Sequence, residues 1–211
     1  DGDRDASDQE ELLPGVEPDR PEEMEITQRC RGNEDAHDVG DVVGAQAVGA
    51  EGSRQDQALE ILNTALDRGI RYFDTSPGYG DSERRYGLAL EGTDRESLII
   101  STKTGTHPSH RQDYSWDATM WSVEESLRLL KTDYIDLYQI HGFDAVTPME
   151  ETLRALDDLV HAGKVCYIGC SNLAAWQLMK SLWLSDKYNL YRFESLQAYY
   201  TIAGRDLERD I

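Results

Sequence analysis

Cysteine is scarce in this chain: Cys30, Cys166 and Cys170 are the only three in 211 residues. That excludes a disulfide framework and suits a reducing compartment. Long hydrophobic runs are missing too, with nothing near the roughly 18 apolar residues of a membrane span. The chain opens on Asp1-Gly2-Asp3-Arg4-Asp5 rather than on a basic-then-apolar leader, so the expectation is a cytoplasmic protein with no membrane partner. Positive charge is the third shortage. With 21 Lys+Arg against 41 Asp+Glu the net charge is -20, which repels phosphate backbones and anionic lipid and speaks against a nucleic-acid partner. A Gly-x-Gly-x-x-Gly turn follows none of the predicted strands, so a dinucleotide-binding doubly wound sheet lacks its fingerprint. What is present, 39% hydrophobic and 9% aromatic residues, suffices for one domain with a core.

The acidity is concentrated at one end. Residues 1–53 hold 16 acidic and 4 basic side chains. Within them, 1–23 combines Pro14, Pro18 and Pro21 with many carboxylates and few large apolar groups, too little buried surface to offset the ordering entropy. The expectation is a disordered acidic tail over 1–23, solubilising or, alternatively, a site for a basic partner. The folded part would be 24–211.

From Arg54 onward helix and strand patterns alternate. Ala58, Ile61, Leu62, Ala65 and Leu66 share one helical face, and Gly69 supplies a left-handed stop. A strand is predicted over 70–73, a helix over 82–90 and a buried strand over 97–102. A helix over 118–130 leads to a strand over 134–140. Pro148 opens a further helix, Gly163 closes it, and a strand follows over 165–170. A helix over 173–184 precedes a strand over 193–199. Such βα repetition means a parallel sheet with helical crossovers, either doubly wound or a (β/α) barrel. Asp74, Lys103, His141 and Ser171-Asn172 each stand at the C-terminal end of a different strand, and a barrel gathers those ends around one mouth. The barrel is therefore the expected architecture.

The stretch from Gly69 to Glu83, with Phe73-Asp74-Thr75-Ser76-Pro77-Gly78-Tyr79-Gly80 at its centre and Gly87 closing it, resembles the first signature of the aldo-keto reductases. Lys103 after Ser101-Thr102, His141 after Asp136-Leu137-Tyr138-Gln139-Ile140, and Gly169-Cys170-Ser171-Asn172 resemble the later motifs in the same order. The resemblance covers roughly 57–211. It implies an α/β fold, the (β/α)8 TIM barrel, ending here after about the sixth strand, and reduction of an aldehyde or ketone with NADPH.

Elementary chemistry agrees with that implication. Delivering a hydride to a carbonyl leaves an alkoxide that needs a proton from a positioned acid. Tyr79 would be the acid, Lys103 would favour its phenolate by positive charge, Asp74 would hold the Lys103 ammonium, and His141 would orient the carbonyl oxygen. The resemblance further assigns Ser171, Asn172 and Gln197 to the nicotinamide carboxamide and Tyr200 to the neighbourhood of its ring. The blander alternatives are a structural Asp74–Lys103 ion pair and a core histidine at His141.

Other features take simpler readings. His107 and His110 have no fixed carboxylate or Cys partner, so no metal site is expected. Tyr114 and Trp116 follow on the same loop, where a barrel meets its substrate. Cys166 and Cys170 share a strand face as apolar filling, and Trp121, Trp176 and Trp183 are expected in core or inter-helix packing. At roughly 30 residues per βα unit the chain from Arg54 holds about five units rather than eight. Residues 24–29 would begin a hairpin and 42–49 a degraded first strand and turn, with a shifted reading frame over 30–50 as one explanation. An open arc would leave edges and inner surface wet, so an oligomer that completes the barrel is one expectation. A non-catalytic nucleotide-sensing or interaction subunit, or an inactive fragment, is the alternative to an enzyme.

Overall fold

A computed structural model describes the backbone of 43–44 and residues 55–105 and 112–211. The expected tail over 1–23, the hairpin, the stretch from 30 to 42 and both His107 and His110 lie outside the described residues. In chain order the elements are β1 (Val43–Gly44), α1 (Gln55–Asp67), β2 (Tyr72–Asp74), α2 (Ser82–Ala89), β3 (Ile99–Thr104), α3 (Trp116–Leu130), β4 (Ile135–Ile140), α4 (Met149–His161), β5 (Val165–Ser171), α5 (Ala175–Tyr188), β6 (Phe193–Gln197) and a short α6 (Leu207–Asp210). Every helix and strand predicted from Arg54 onward is present, with ends displaced by a few residues. Val43-Gly44, within the expected first strand, pairs in parallel with Phe73-Asp74.

The six strands form one parallel sheet in the order β1-β2-β3-β4-β5-β6. A doubly wound sheet would reverse its strand order at a switch point. This sheet never reverses, and right-handed crossovers then put all the helices on one side, where each packs against the next from α1 to α5. The result is an arc of a (β/α) barrel.

Alternation along the strands sorts side chains between two faces. On β3, Ile100 joins the apolar core and Thr102 bonds Glu83 of α2, while Ser101 and Lys103 point to the concave side, where both bond Asp74. Leu62, Phe73, Val123, Ile140, Leu153 and Ile168 anchor the core between sheet and helices. Gly69 and Gly163 close α1 and α4 at φ of 85° and 70°, the left-handed stops the sequence predicts. Near the N-terminal ends of β3 and β4, Arg95 donates to the carbonyls of Leu98 and Tyr134 and, at 2.6 Å, to the Asp136 carboxylate. That carboxylate also accepts the Ile100 N–H at 2.9 Å.

Two expectations are corrected. Trp121, Trp176 and Trp183 are not core residues: they are 43%, 61% and 56% exposed. Each lies off the stripe its helix buries, which on α3 runs through Val123, Leu127 and Leu130. Cys170 is buried but Cys166 is only half-buried, because Cys166 sits near the start of β5. On the concave side Tyr167, two residues from Gly169, is 40% exposed, as an open arc requires.

Candidate active site

The loop after β2 builds the first wall of the site. Thr75 N–H bonds the Ser101 carbonyl and prolongs the β2–β3 ladder. The chain then turns back, Tyr79 N–H donating to the Ser76 carbonyl and Ser82 N–H to that of Tyr79. The Ser76 hydroxyl accepts the Gly78 N–H at 3.1 Å. These bonds hold the Tyr79 ring over the strand ends, with Lys103 Nζ 5.1 Å from its centroid.

Asp74, Tyr79, Lys103 and His141 converge there. Lys103 Nζ, fully buried, donates to Asp74 Oδ2 at 2.7 Å and to the Thr75 carbonyl at 2.9 Å. Tyr79 Oη lies 3.4 Å from His141 Nε2, and the two rings meet edge to face. His141 Nδ1 faces Ser76 Oγ at 3.1 Å. Burial, reinforced by the Lys103 charge and opposed by Asp74, lowers the His141 pKa, so its imidazole is neutral at pH 7. Burial likewise pulls the Lys103 ammonium below its ordinary value, against the attraction of Asp74.

The expected tuning of Tyr79 is reversed. Burial first and the Asp74 carboxylate second raise its pKa. Lys103 is matched by a carboxylate at 2.7 Å, so the pair presents the phenol with little net positive charge. Tyr79 is thus a phenol that keeps its proton across the neutral range.

Two groups beneath these four escape the sequence reading. Ser101 Oγ donates to Asp74 Oδ1 at 2.9 Å, and Gln139 Nε2 donates to Ser101 Oγ at 2.9 Å and more weakly to Asp74. Strand alternation carries the signal: Ser101 is two residues before Lys103 and Gln139 two before His141, so each lies under a site residue on the same face. Ser76 is the third, buried beside His141.

The expected cofactor residues divide. Ser171 and Gln197 are register partners on β5 and β6. Asn172, at φ 55°, donates its N–H to the Gln197 carbonyl at 3.0 Å and its side-chain amide to Ser171 Oγ at 3.0 Å. A hydroxyl and two amides therefore gather beyond one strand edge. Tyr200 stands apart from them, its hydroxyl donating to Glu208 at 2.6 Å with the Arg205 guanidinium over its ring.

The loop after β3 departs from expectation. Tyr114 is buried against Gly105, whose absent Cβ would lie 2.3 Å from the ring, and burial pushes its phenol up to about 12. It is packing, not a rim residue. Trp116 donates its indole N–H to Asp158 at 2.8 Å and its backbone N–H to Glu151, tying α3 to α4. Among the described residues no cluster of His, Cys, Asp and Glu could hold a metal ion, and no helix is long and apolar enough to cross a membrane.

The model of the aldo/keto reductase family matches residues 42–211. This chain belongs to the aldo-keto reductase family. Among relatives, it is 33% identical over 179 residues to the aldo-keto reductase YhdN of Bacillus subtilis, covering 80% of this chain and 52% of that protein. It is 33% identical over 169 residues to norsolorinic acid reductase B of Aspergillus parasiticus, covering 74% of this chain and 44% of that one. The crystal structure of the thermostable aldo-keto reductase Tm1743, solved with the inhibitor epalrestat, superposes with a TM-score of 0.72 at 33% identity, covering 80% of this chain and 61% of that chain. The chain spans about half the length of the relatives it matches. The aldo-keto reductases among these relatives are oxidoreductases.

Proposed function

We propose that this chain carries the catalytic centre of an NADPH-dependent reductase that converts an aldehyde or ketone to an alcohol. The observation that carries the reading is the convergence of Tyr79, His141 and the buried Asp74–Lys103 pair at the strand ends. A module that only binds nucleotide has no use for a phenol and an imidazole aimed at one point.

The cluster of Ser171, Asn172 and Gln197 supports a nicotinamide cofactor, because a carboxamide needs both donors and acceptors and these three side chains supply both. Bound there, the cofactor would supply the hydride. The rest falls to the chain's own groups. His141 Nε2 and Tyr79 Oη, 3.4 Å apart, would both reach one carbonyl oxygen and orient it. As negative charge grows on that oxygen, Tyr79 passes it the phenolic proton. The raised pKa is no obstacle, since an alkoxide is far more basic than a phenolate, and it ensures that the proton is present. The Asp74–Lys103 pair keeps the floor of the site polar, rigid and nearly neutral.

Titration of the purified chain with NADPH, followed by tryptophan fluorescence and run beside size-exclusion chromatography, tests this reading. Trp176 and Trp183 on α5, which follows Asn172, are the reporters. Saturable quenching by a defined species is expected, and its size reports whether a second copy helps to complete the site. A folded, monodisperse chain whose fluorescence never saturates would remove the reading.

A further inference from the structure

We infer that Ser76 is a positioning residue: its hydroxyl donates to Nδ1 of His141, fixes the Nε2–H tautomer, and so makes His141 a hydrogen-bond donor to the substrate oxygen beside Tyr79. The inference deepens the reductase reading and rests on it.

The hydrogen-bond inventory around one oxygen decides the direction. Ser76 is fully buried. Its Oγ accepts the Gly78 N–H at 3.1 Å and lies 3.1 Å from His141 Nδ1. Were Nδ1 protonated, Oγ would accept twice, and among the described residues no acceptor would meet the hydroxyl proton. Buried polar groups are arranged to avoid that outcome. With Nδ1 as the acceptor, Ser76 accepts once and donates once, and the proton of the neutral imidazole sits on Nε2.

The consequence reaches Tyr79, whose Oη is 3.4 Å from Nε2. In the Nδ1–H tautomer Nε2 would be an acceptor and would draw the phenolic proton towards itself, away from the substrate. In the Nε2–H tautomer it cannot accept, and the Tyr79 proton stays available. One serine thereby sets the polarity of both groups: His141 donates without transferring a proton, and Tyr79 transfers one. The Gly78 N–H, by occupying an Oγ lone pair, aims the Ser76 hydroxyl.

Nitrogen-15 NMR of the chain labelled at histidine, above neutral pH, reads the tautomer directly, with His141→Gln identifying the His141 signal among the five histidines. His141 is expected as Nε2–H at a ratio at least about fivefold above that of free histidine measured the same way, the scale of one buried hydrogen bond. Ser76→Ala is expected to return the ratio towards that of free histidine and Ser76→Thr to restore the excess. A wild-type His141 in the Nδ1–H form, or an unchanged ratio in Ser76→Ala, would overturn the inference, and the wild-type spectrum decides it even if Ser76→Ala does not fold. With 4-nitrobenzaldehyde as probe, Ser76→Ala should lower kcat on the order of tenfold to a hundredfold, the scale of misplacing a group that touches the reacting atoms, and leave the KM for NADPH unchanged. A chain whose Nε2–H excess depends on Ser76 yet reduces no carbonyl would overturn the reductase reading and uphold only the control of the tautomer by Ser76.

Discussion

Replacing Asp74 by Asn removes the counter-charge of a fully buried ammonium while keeping the side chain's shape. The one amide oxygen of Asn can face either Lys103 Nζ or Ser101 and Gln139, so among the described residues either the ammonium is left with the Thr75 carbonyl at 2.9 Å or Ser101 and Gln139 lose the oxygen on which they converge. Removing one partner of a buried pair costs about 3–5 kcal/mol. For a chain of this size that lowers Tm by about 6–20 °C. Lys103 also gives the loss a pH signature. Burial already holds its pKa below the ordinary value, and Asp74 is what opposes that shift, so the variant's ammonium falls further. A folded-state lysine with a lowered pKa binds fewer protons than the unfolded chain, so its penalty is complete below the folded pKa and fades as pH rises towards the unfolded value of about 10.4. The gap between variant and wild type should therefore be widest near pH 7 and narrow towards pH 10. Urea unfolding followed by tryptophan fluorescence at pH 7 and pH 9.5 measures it. A loss under about 1 kcal/mol at pH 7, the scale of exposed pairs, or a gap that widens with pH, would refute the reasoning.

Gly169→Ala should destabilise by about 1–3 kcal/mol, the usual cost of overpacking, because its Cβ would meet Ser195 Oγ at 2.4 Å and Gln139 Cγ at 3.2 Å; denaturant midpoints check this, and wild-type stability would contradict it. Arg95→Met removes the cation beside the buried Asp136 carboxylate, whose pKa burial raises and Arg95 chiefly holds down, and leaves it the Ile100 N–H. About 3 kcal/mol should be lost at pH 7, and because a raised carboxyl binds its proton more readily when folded, the loss should shrink as pH falls towards the unfolded carboxyl value of about 3.9; a loss independent of pH would count against the pairing.

The barrel was legible because each βα unit carries its own punctuation: Gly69 and Gly163 stop helices, and the apolar runs of β3 and β5 mark buried strands. The choice of barrel over doubly wound sheet followed from polar residues at successive strand ends, and the unreversed strand order bears it out. Of the candidate site, Asp74, Tyr79, Lys103 and His141 do meet, as do Ser171, Asn172 and Gln197. The electrostatics were less legible. A sequence shows that a lysine lies near a tyrosine in the fold, but not that a carboxylate 2.7 Å from its Nζ cancels its charge, and so the Tyr79 pKa moves the other way. Tyr114 and the core placement of the three helical tryptophans went wrong for a related reason, since aromatic character does not say whether a residue falls on the buried stripe or outside it. Ser76, Ser101 and Gln139 are ordinary residues whose importance is visible only through what they touch.

The most direct test of the central claim is the reduction of 4-nitrobenzaldehyde by the wild-type chain and Tyr79→Phe, with NADPH binding and stability measured on the same samples. Among the described residues the hydroxyl of Tyr79 makes one long contact, to His141, so its removal should alter stability by under about 1 kcal/mol. Turnover should fall by about 10² to 10⁴, the contribution of a positioned acid, with NADPH binding retained. Undiminished turnover in Tyr79→Phe would contradict the assignment of Tyr79 as the proton donor and the mechanism built on it.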